Sequence, residues 1–273
     1  MDRLTLFWIL HLALLGLWCM EMAVVISWWL KARVPGLPVD ASRWRKLWVL
    51  LGRGAKLLFS QRAGLFLRAL LQDGLAHGSL LRSCPRRWAV HLAIFGSFFV
   101  LGGLSIITGL AVEILPRLAP SGHWLNQNAV SQALRNVEHP VVALLNDGLG
   151  LALLVGVALA AWRRFVRPDA QLRHTANDGL VLALLALIGL TGYPVEAFRL
   201  LAEGASAASW SFVGAPLARL LAPLDADWQA WHSTAFWGHF ALTNVLLFYA
   251  PFSRFSHAVF SPLIAALNGM ETL

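Results

Sequence analysis

The chain is poor in charge and in cysteine. Only 13% of its 273 residues are charged, while 58% are hydrophobic. A soluble domain carries about 25% charged residues, so the composition excludes an ordinary globular enzyme and points to an integral membrane protein. The two cysteines are Cys19, in an apolar stretch, and Cys84, in a basic one. They form no CxxC, no CxxCH for covalent haem, and no four-cysteine set for an iron–sulfur cluster. Two unpaired structural thiols are the expected state. No small-x-small cleavage site separates Arg3 from Lys31, so the first apolar stretch is expected to be retained as a span. Internal repeats and low-complexity tracts are also lacking.

The charge that is present is one-sided, with 22 Lys and Arg against 14 Asp and Glu and a net charge of +8. The excess flanks apolar stretches, which speaks for membrane topology and against nucleic acid. Five stretches are long enough to cross a bilayer: about 4–30, 89–115, 139–162, 178–198 and 232–253. Residues 31–88 hold twelve Lys and Arg, residues 163–177 hold four, and Arg254 follows the last stretch. The other side holds five: Arg3, Arg117, Arg135, Arg199 and Arg219. The expected fold is therefore an all-α bundle of five transmembrane helices, a single domain over 1–273, with the N-terminus outside and the C-terminus inside. Within the basic loop 31–88, WRKLWVLLGRGAKLLF and AGLFLRALLQDGLAHGSLLRS mix basic and apolar residues at helical spacing. They are expected to form amphipathic helices on the anionic leaflet and a docking platform for a cytoplasmic partner. The outer loops 116–138 and 199–231 are expected to cap the bundle.

Histidines are the ionisable groups that stand out. His239 and His257 are 18 residues apart, which is about five helical turns and about 27 Å. On one continuous helix they would share a face, separated by nearly the roughly 30 Å hydrocarbon thickness. Pro251, between them, is a site for a kink. His91 opens the second span just after Arg86 and Arg87, at the expected depth of His257. A haem takes two axial ligands from facing helices at one level, and Gly96, Gly102 and Gly103 leave room for a flat macrocycle. His91 and His257 are thus the expected ligands of an inner haem. His239 is expected in an outer haem, with His139, which opens the third span, as the candidate partner. His232 lies on the same face as His239 and cannot be the opposite ligand. His77, His123 and His174 fall in loops.

TGYPVEAFR ends the fourth span. Glu196 and Arg199, three apart, are neighbours on a helix. A carboxylate there can take protons released by a quinol, with the arginine holding it ionised; a helix-end salt bridge is the alternative. Asp147 and Glu113 face the same side, and Asp178 can cap the fourth helix.

The last span, ending in PFSRFSH (251–257), resembles that of the gamma subunit of respiratory nitrate reductase, a five-span dihaem cytochrome b. In that resemblance His239 and His257 match haem ligands, and His91 matches the inner-haem ligand of the second span. One position departs: Leu101 stands where the family has a second histidine. The basic loop, RRFVRP and TGYPVEAFR resemble a related branch, the membrane subunits of heterodisulfide-reductase-like and sulfite-reduction-linked complexes. The resemblance covers spans two to five and the basic loop. It implies one or two haems b, reaction with quinone or menaquinone, and a cytoplasmic iron–sulfur partner with CCG motifs. It also implies a place in a bacterial cytoplasmic membrane as part of a complex, not as a stand-alone enzyme. A non-redox membrane anchor that only docks a partner is the rival reading. A transporter would need polar residues converging at midplane, which the sequence does not show.

Overall fold

In an apolar solvent a backbone segment must satisfy its own hydrogen bonds, and a helix does so internally. The computed structural model follows that rule. It describes residues 3–120, 122–136, 139–167, 176–204, 210–253, 261, 262 and 264, and all regular structure among them is helical. In chain order the helices are α1 (Arg3–Trp29), α2 (Arg43–Leu58), α3 (Ala63–Ala69), α4 (Gly78–Ser83), α5 (Pro85–Gly109) and α6 (Leu115–Leu118). They continue as α7 (Trp124–Gln127), α8 (Ala129–Arg135), α9 (Pro140–Ala161), α10 (Ala176–Glu203), α11 (Gly214–Leu221) and α12 (Trp228–Tyr249).

Four of these lie in segments long and apolar enough to cross a membrane: Thr5–Trp29, Pro85–Leu118, Pro140–Val166 and Asn177–Glu203. The chain is a multi-pass membrane protein. Helix α12 has 22 residues, about 33 Å of helix. Its apolarity is diluted by Gln229, His232, Ser233, Thr234, His239, Thr243 and Asn244, so it does not join the four on composition. The chain divides into two compact units, residues 1–84 with 244–273, and residues 85–243.

In the first unit the basic loop is helical, as its periodicity required. Ser42 caps α2, its hydroxyl accepting from the Arg45 N–H at 3.2 Å. Trp44, Trp48, Leu51 and Leu58 form one exposed apolar stripe on α2, the surface an interfacial helix lays on lipid. The loop is tied back to the end of α1. Lys46, only 4% exposed, donates to the Ala32 carbonyl at 3.0 Å, and Arg53 donates to the Pro35 carbonyl at 2.8 Å.

The chain after α12 departs from expectation. Helix α12 stops at Tyr249, Ala250–Phe252 tighten into a 3₁₀ turn, and Ser253 is extended. Pro251 explains this, since it has no N–H to give to the helix. The continuous five-turn helix that would have put His239 and His257 on one face is therefore interrupted. His257 itself lies outside the described residues, as does Arg254.

In the second unit α9 packs between α5 and α10. The approach to α5 is at Gly156, where a Cβ would stand 2.9 Å from the Ile94 side chain and 3.1 Å from its backbone nitrogen. The approach to α10 is at Gly150, whose Cβ would stand 2.8 Å from the Tyr193 hydroxyl, and at Gly189, whose Cβ would stand 2.8 Å from Leu154. Arg164 and Asp178 join the end of α9 to the start of α10 at 2.8 Å, so Asp178 is an ion-pair partner. Helix α11 packs on α10 through Ala197, Leu200, Ala215 and Ala218. Part of the 199–231 loop is thus helical and packed on α10.

Candidate functional site

His239 sits at the middle of α12 and is held by α10. The Thr191 hydroxyl lies 2.7 Å from the Leu187 carbonyl of its own helix and 2.9 Å from His239 Nδ1. A hydroxyl has one proton. Given to Leu187, it leaves the Thr191 oxygen to accept the Nδ1–H of His239. That tautomer leaves Nε2 with a free lone pair. Gly192, next in sequence, faces the ring: a Cβ there would stand 3.7 Å from Cε1.

The glycine contacts make α9 a depth ruler. Gly150 faces Tyr193 and Leu154 faces Gly189, so Thr191 and the His239 it holds stand opposite residue 152 or so of α9. Gly156 faces Ala93 and Ile94, which puts His91 two to three residues further toward the α9 C-terminus. His91 and His239 thus lie at two levels, about 10 Å apart along the helices. His91 stacks on Phe95, with centroids 5.6 Å apart and planes at 7°. His139 is a different case. It precedes α9 as its cap residue, makes no capping bond, and has a buried Nδ1 without a partner. It stands about 13 residues, roughly 20 Å, from the level of His239. His139 and His239 therefore stand at different levels along α9.

Glu196 and Asp147 form the second feature. Ser211 donates to Glu196 Oε1 at 2.6 Å. Arg199, expected beside Glu196, makes its ion pair with Glu203 at 2.7 Å, one turn further along α10. Asp147 is fully buried, and its Oδ2 accepts the N–H groups of Val213 at 2.6 Å and Gly214 at 3.3 Å at the start of α11. The Tyr193 hydroxyl donates to the Asp147 carbonyl at 2.9 Å. Glu113, read as facing the same side, pairs with Arg117 at 2.8 Å. Among the described residues no three His, Cys, Asp or Glu side chains converge as a bare metal-ion site.

These features define a multi-pass helical membrane protein whose polar side chains gather on α9, α10 and α12. Residues 87–267, about two thirds of the chain, match the nitrate reductase gamma subunit family, and the chain belongs to that family. It is 24% identical over 203 residues to the E subunit of the dihydromethanophenazine:CoB–CoM heterodisulfide reductase of Methanosarcina barkeri, covering 74% of this chain and 66% of that one. The same figures hold for the Methanosarcina acetivorans protein of that name. It is 26% identical over 141 residues to the EtfAB:quinone oxidoreductase of Syntrophomonas wolfei, covering 46% of this chain and 19% of that one. The chain thus spans a fifth to two thirds of the length of these relatives. No solved structure matches it.

The family is one of b-type cytochromes, and His239 fits an axial role. A ligating imidazole ties one nitrogen to a second group and presents the other, which is the state Thr191 imposes. Thr191 carries no signal of this in the sequence, because the contact spans 48 residues.

Proposed function

We propose that this chain is the b-type cytochrome subunit of a membrane oxidoreductase, passing electrons between the quinone pool and a cytoplasmic iron–sulfur partner. The observation that carries the reading is His239, its Nδ1 held by Thr191 at 2.9 Å on the part of the chain that matches the family. A relative named as a quinone oxidoreductase supports the quinone end of the path, and one named as a subunit of a heterodisulfide reductase supports a place in a multi-subunit reductase. A haem on this frame would supply one-electron exchange at a potential set by its ligands and burial.

The chain's own parts take these roles. His239 would hold an outer haem through Nε2. His91 and His257 would hold an inner haem, with Arg87 and Arg254 as the candidates to pair with its propionates. His139, offset from His239, serves as a helix-end residue. Glu196 and Arg199 face the quinone. The 31–88 helices, basic and apolar by turns, hold the inner leaflet and offer the docking surface for a partner with CCG-type iron–sulfur motifs. Helix α12 is the fifth crossing. The N-terminus is outside and the C-terminus inside, in a bacterial cytoplasmic membrane.

The test is a dithionite-reduced spectrum of the purified chain with haem quantified per polypeptide. A b-type α-band is expected, with two haems per chain. His239→Ala is expected to remove one, and His91→Ala and His257→Ala the same other one. Absence of any b-type band leaves a non-redox anchor and ends this reading.

A further inference from the structure

Two carboxyl groups meet beneath the turn that starts α11. Asp147 is 0% exposed; its Oδ2 takes two backbone N–H bonds, while its Oδ1 is buried and takes none. Glu196 reaches the same turn from α10. Its Oε1 accepts from Ser211 at 2.6 Å. A Cβ on Gly214 would stand only 2.7 Å from its carboxyl carbon and Oε2. Both acids therefore touch Gly214, one through its N–H and the other where a side chain would be. Each lies in the other's field, and Tyr193 and Arg199 are the further ionisable groups acting on the pair. Arg199 spends an N–H on Glu203.

Two like charges this close in an apolar interior cannot both persist, so a pair of this kind carries one charge and one proton. The donors fit that state. Val213 and Gly214, at a helix N-terminus, give Asp147 Oδ2 two N–H donors. Ser211 serves Glu196 whether or not it is ionised. Asp147 Oδ1, which takes no bond from the backbone, is left for the Glu196 carboxyl beside it. A structural cap needs only one carboxylate oxygen; a second acid set against the first is unnecessary for capping.

We infer that Asp147 and Glu196 form a buried one-proton exchange site for the hydroquinone that the proposed function invokes. Each hydroquinone O–H breaks in turn. Its proton goes to the ionised carboxyl of the pair, and its bonding electron pair stays on the quinone oxygen. Two electrons then leave singly for the acceptor of the proposed function, giving the quinone and two protons. The pair passes the first proton outward along Ser211 before it takes the second. Quinone reduction is the reverse.

The test uses the full chain in lipid nanodiscs, as wild type, Asp147→Asn and Glu196→Gln. Asn keeps an oxygen for the Val213 and Gly214 N–H groups and Gln keeps one for Ser211, so packing survives in both. Infrared spectra in H₂O and D₂O should show, in wild type, the deuterium-sensitive carbonyl band of a protonated carboxyl, and neither variant should show it. Haem reduction by a short-chain menaquinol should slow about a hundredfold in each variant, while the dithionite spectrum is unchanged. Absence of the band from wild type, its persistence in both variants, or unchanged menaquinol kinetics would each overturn the inference. The band is read with or without haem, so a missing haem counts against the proposed function and a missing band against this one.

Discussion

Helices α1 and α9 are both apolar enough to cross a membrane, yet they do different things. About 6% of the most apolar window of α1 is buried within the protein, against 33% for α9. Apolarity does not separate them, because lipid is as apolar as a leucine side chain. Close approach does. Helix α9 presents Gly150 and Gly156 to neighbours that leave no space for a Cβ, whereas Gly16 of α1 has nothing within 4 Å. Where backbones come close, polar groups can be satisfied in the interior, and Asp147 and the Tyr193 hydroxyl meet there. Helix α1 has one acid, Glu21, beside an apolar hollow of about 440 Å³ lined by Leu17, Met20, Val24, Phe248 and Phe252. Apolar content puts a helix in the bilayer; small residues decide which helices share an interior.

The largest expected effect breaks that contrast directly. Gly156→Leu must displace the Ile94 backbone as well as side chains, at a cost of at least about 1–3 kcal/mol. Gly16→Leu should stay within about 0.5 kcal/mol. Thermal unfolding of the two purified variants beside wild type compares them, and equal losses would show that α1 packs as tightly as α9. Next comes Asp147→Ala. It strands the Val213 and Gly214 N–H groups in the interior, costing about 1–3 kcal/mol. Because Asp147 pins the start of α11, the loss should appear first as proteolytic nicking near residues 205–213, ahead of global unfolding.

A smaller effect is expected at Thr191. Thr191→Val keeps the shape and removes the oxygen that holds His239 Nδ1. Weakened outer-group support of this kind costs about 10–100-fold in metal affinity. Haem retention through gel filtration should fall, with Thr191→Ser restoring it. Loss without rescue by serine would mean that packing, not the hydrogen bond, is what Thr191 supplies.

What the sequence made legible follows from the range of the forces involved. Apolar runs located α1 and α9 to within a residue or two, as 4–30 against Arg3–Trp29 and 139–162 against Pro140–Ala161. Basic–apolar periodicity found the helices of the 31–88 loop. The fourth span runs longer than read, to Glu203, and Pro194 lies inside α10 without ending it. The Asp147–Val213 bond crosses 66 residues and the Thr191–His239 bond 48. Neither leaves a periodicity in its own helix. Helix α12 stops at Tyr249, short of His257, beside Pro251, a local reason already visible in the sequence. The offset between His139 and His239 was not legible either, because the depth of a residue in one helix relative to another depends on packing between the helices.

The smallest expected effect is at Glu21. If α1 faces mainly lipid and α9 carries the chemistry, Glu21→Gln should shift stability by less than about 0.5 kcal/mol. It should leave haem content and menaquinol-driven reduction as in wild type. The prediction has weight because a carboxyl in a span is usually a functional group, and the hollow beside Glu21 is within the range of small-molecule sites, about 300–1,000 Å³. A clear slowing by Glu21→Gln, with Asp147→Asn and Glu196→Gln without effect, would reverse the comparison. The quinone would then react beside α1, and the α9–α10 acids would be the structural pair. Slowing by all three variants would require the proton to visit both places, and the double variant Glu21→Gln with Glu196→Gln would be no slower than the worse single one if the two lie in series on one path.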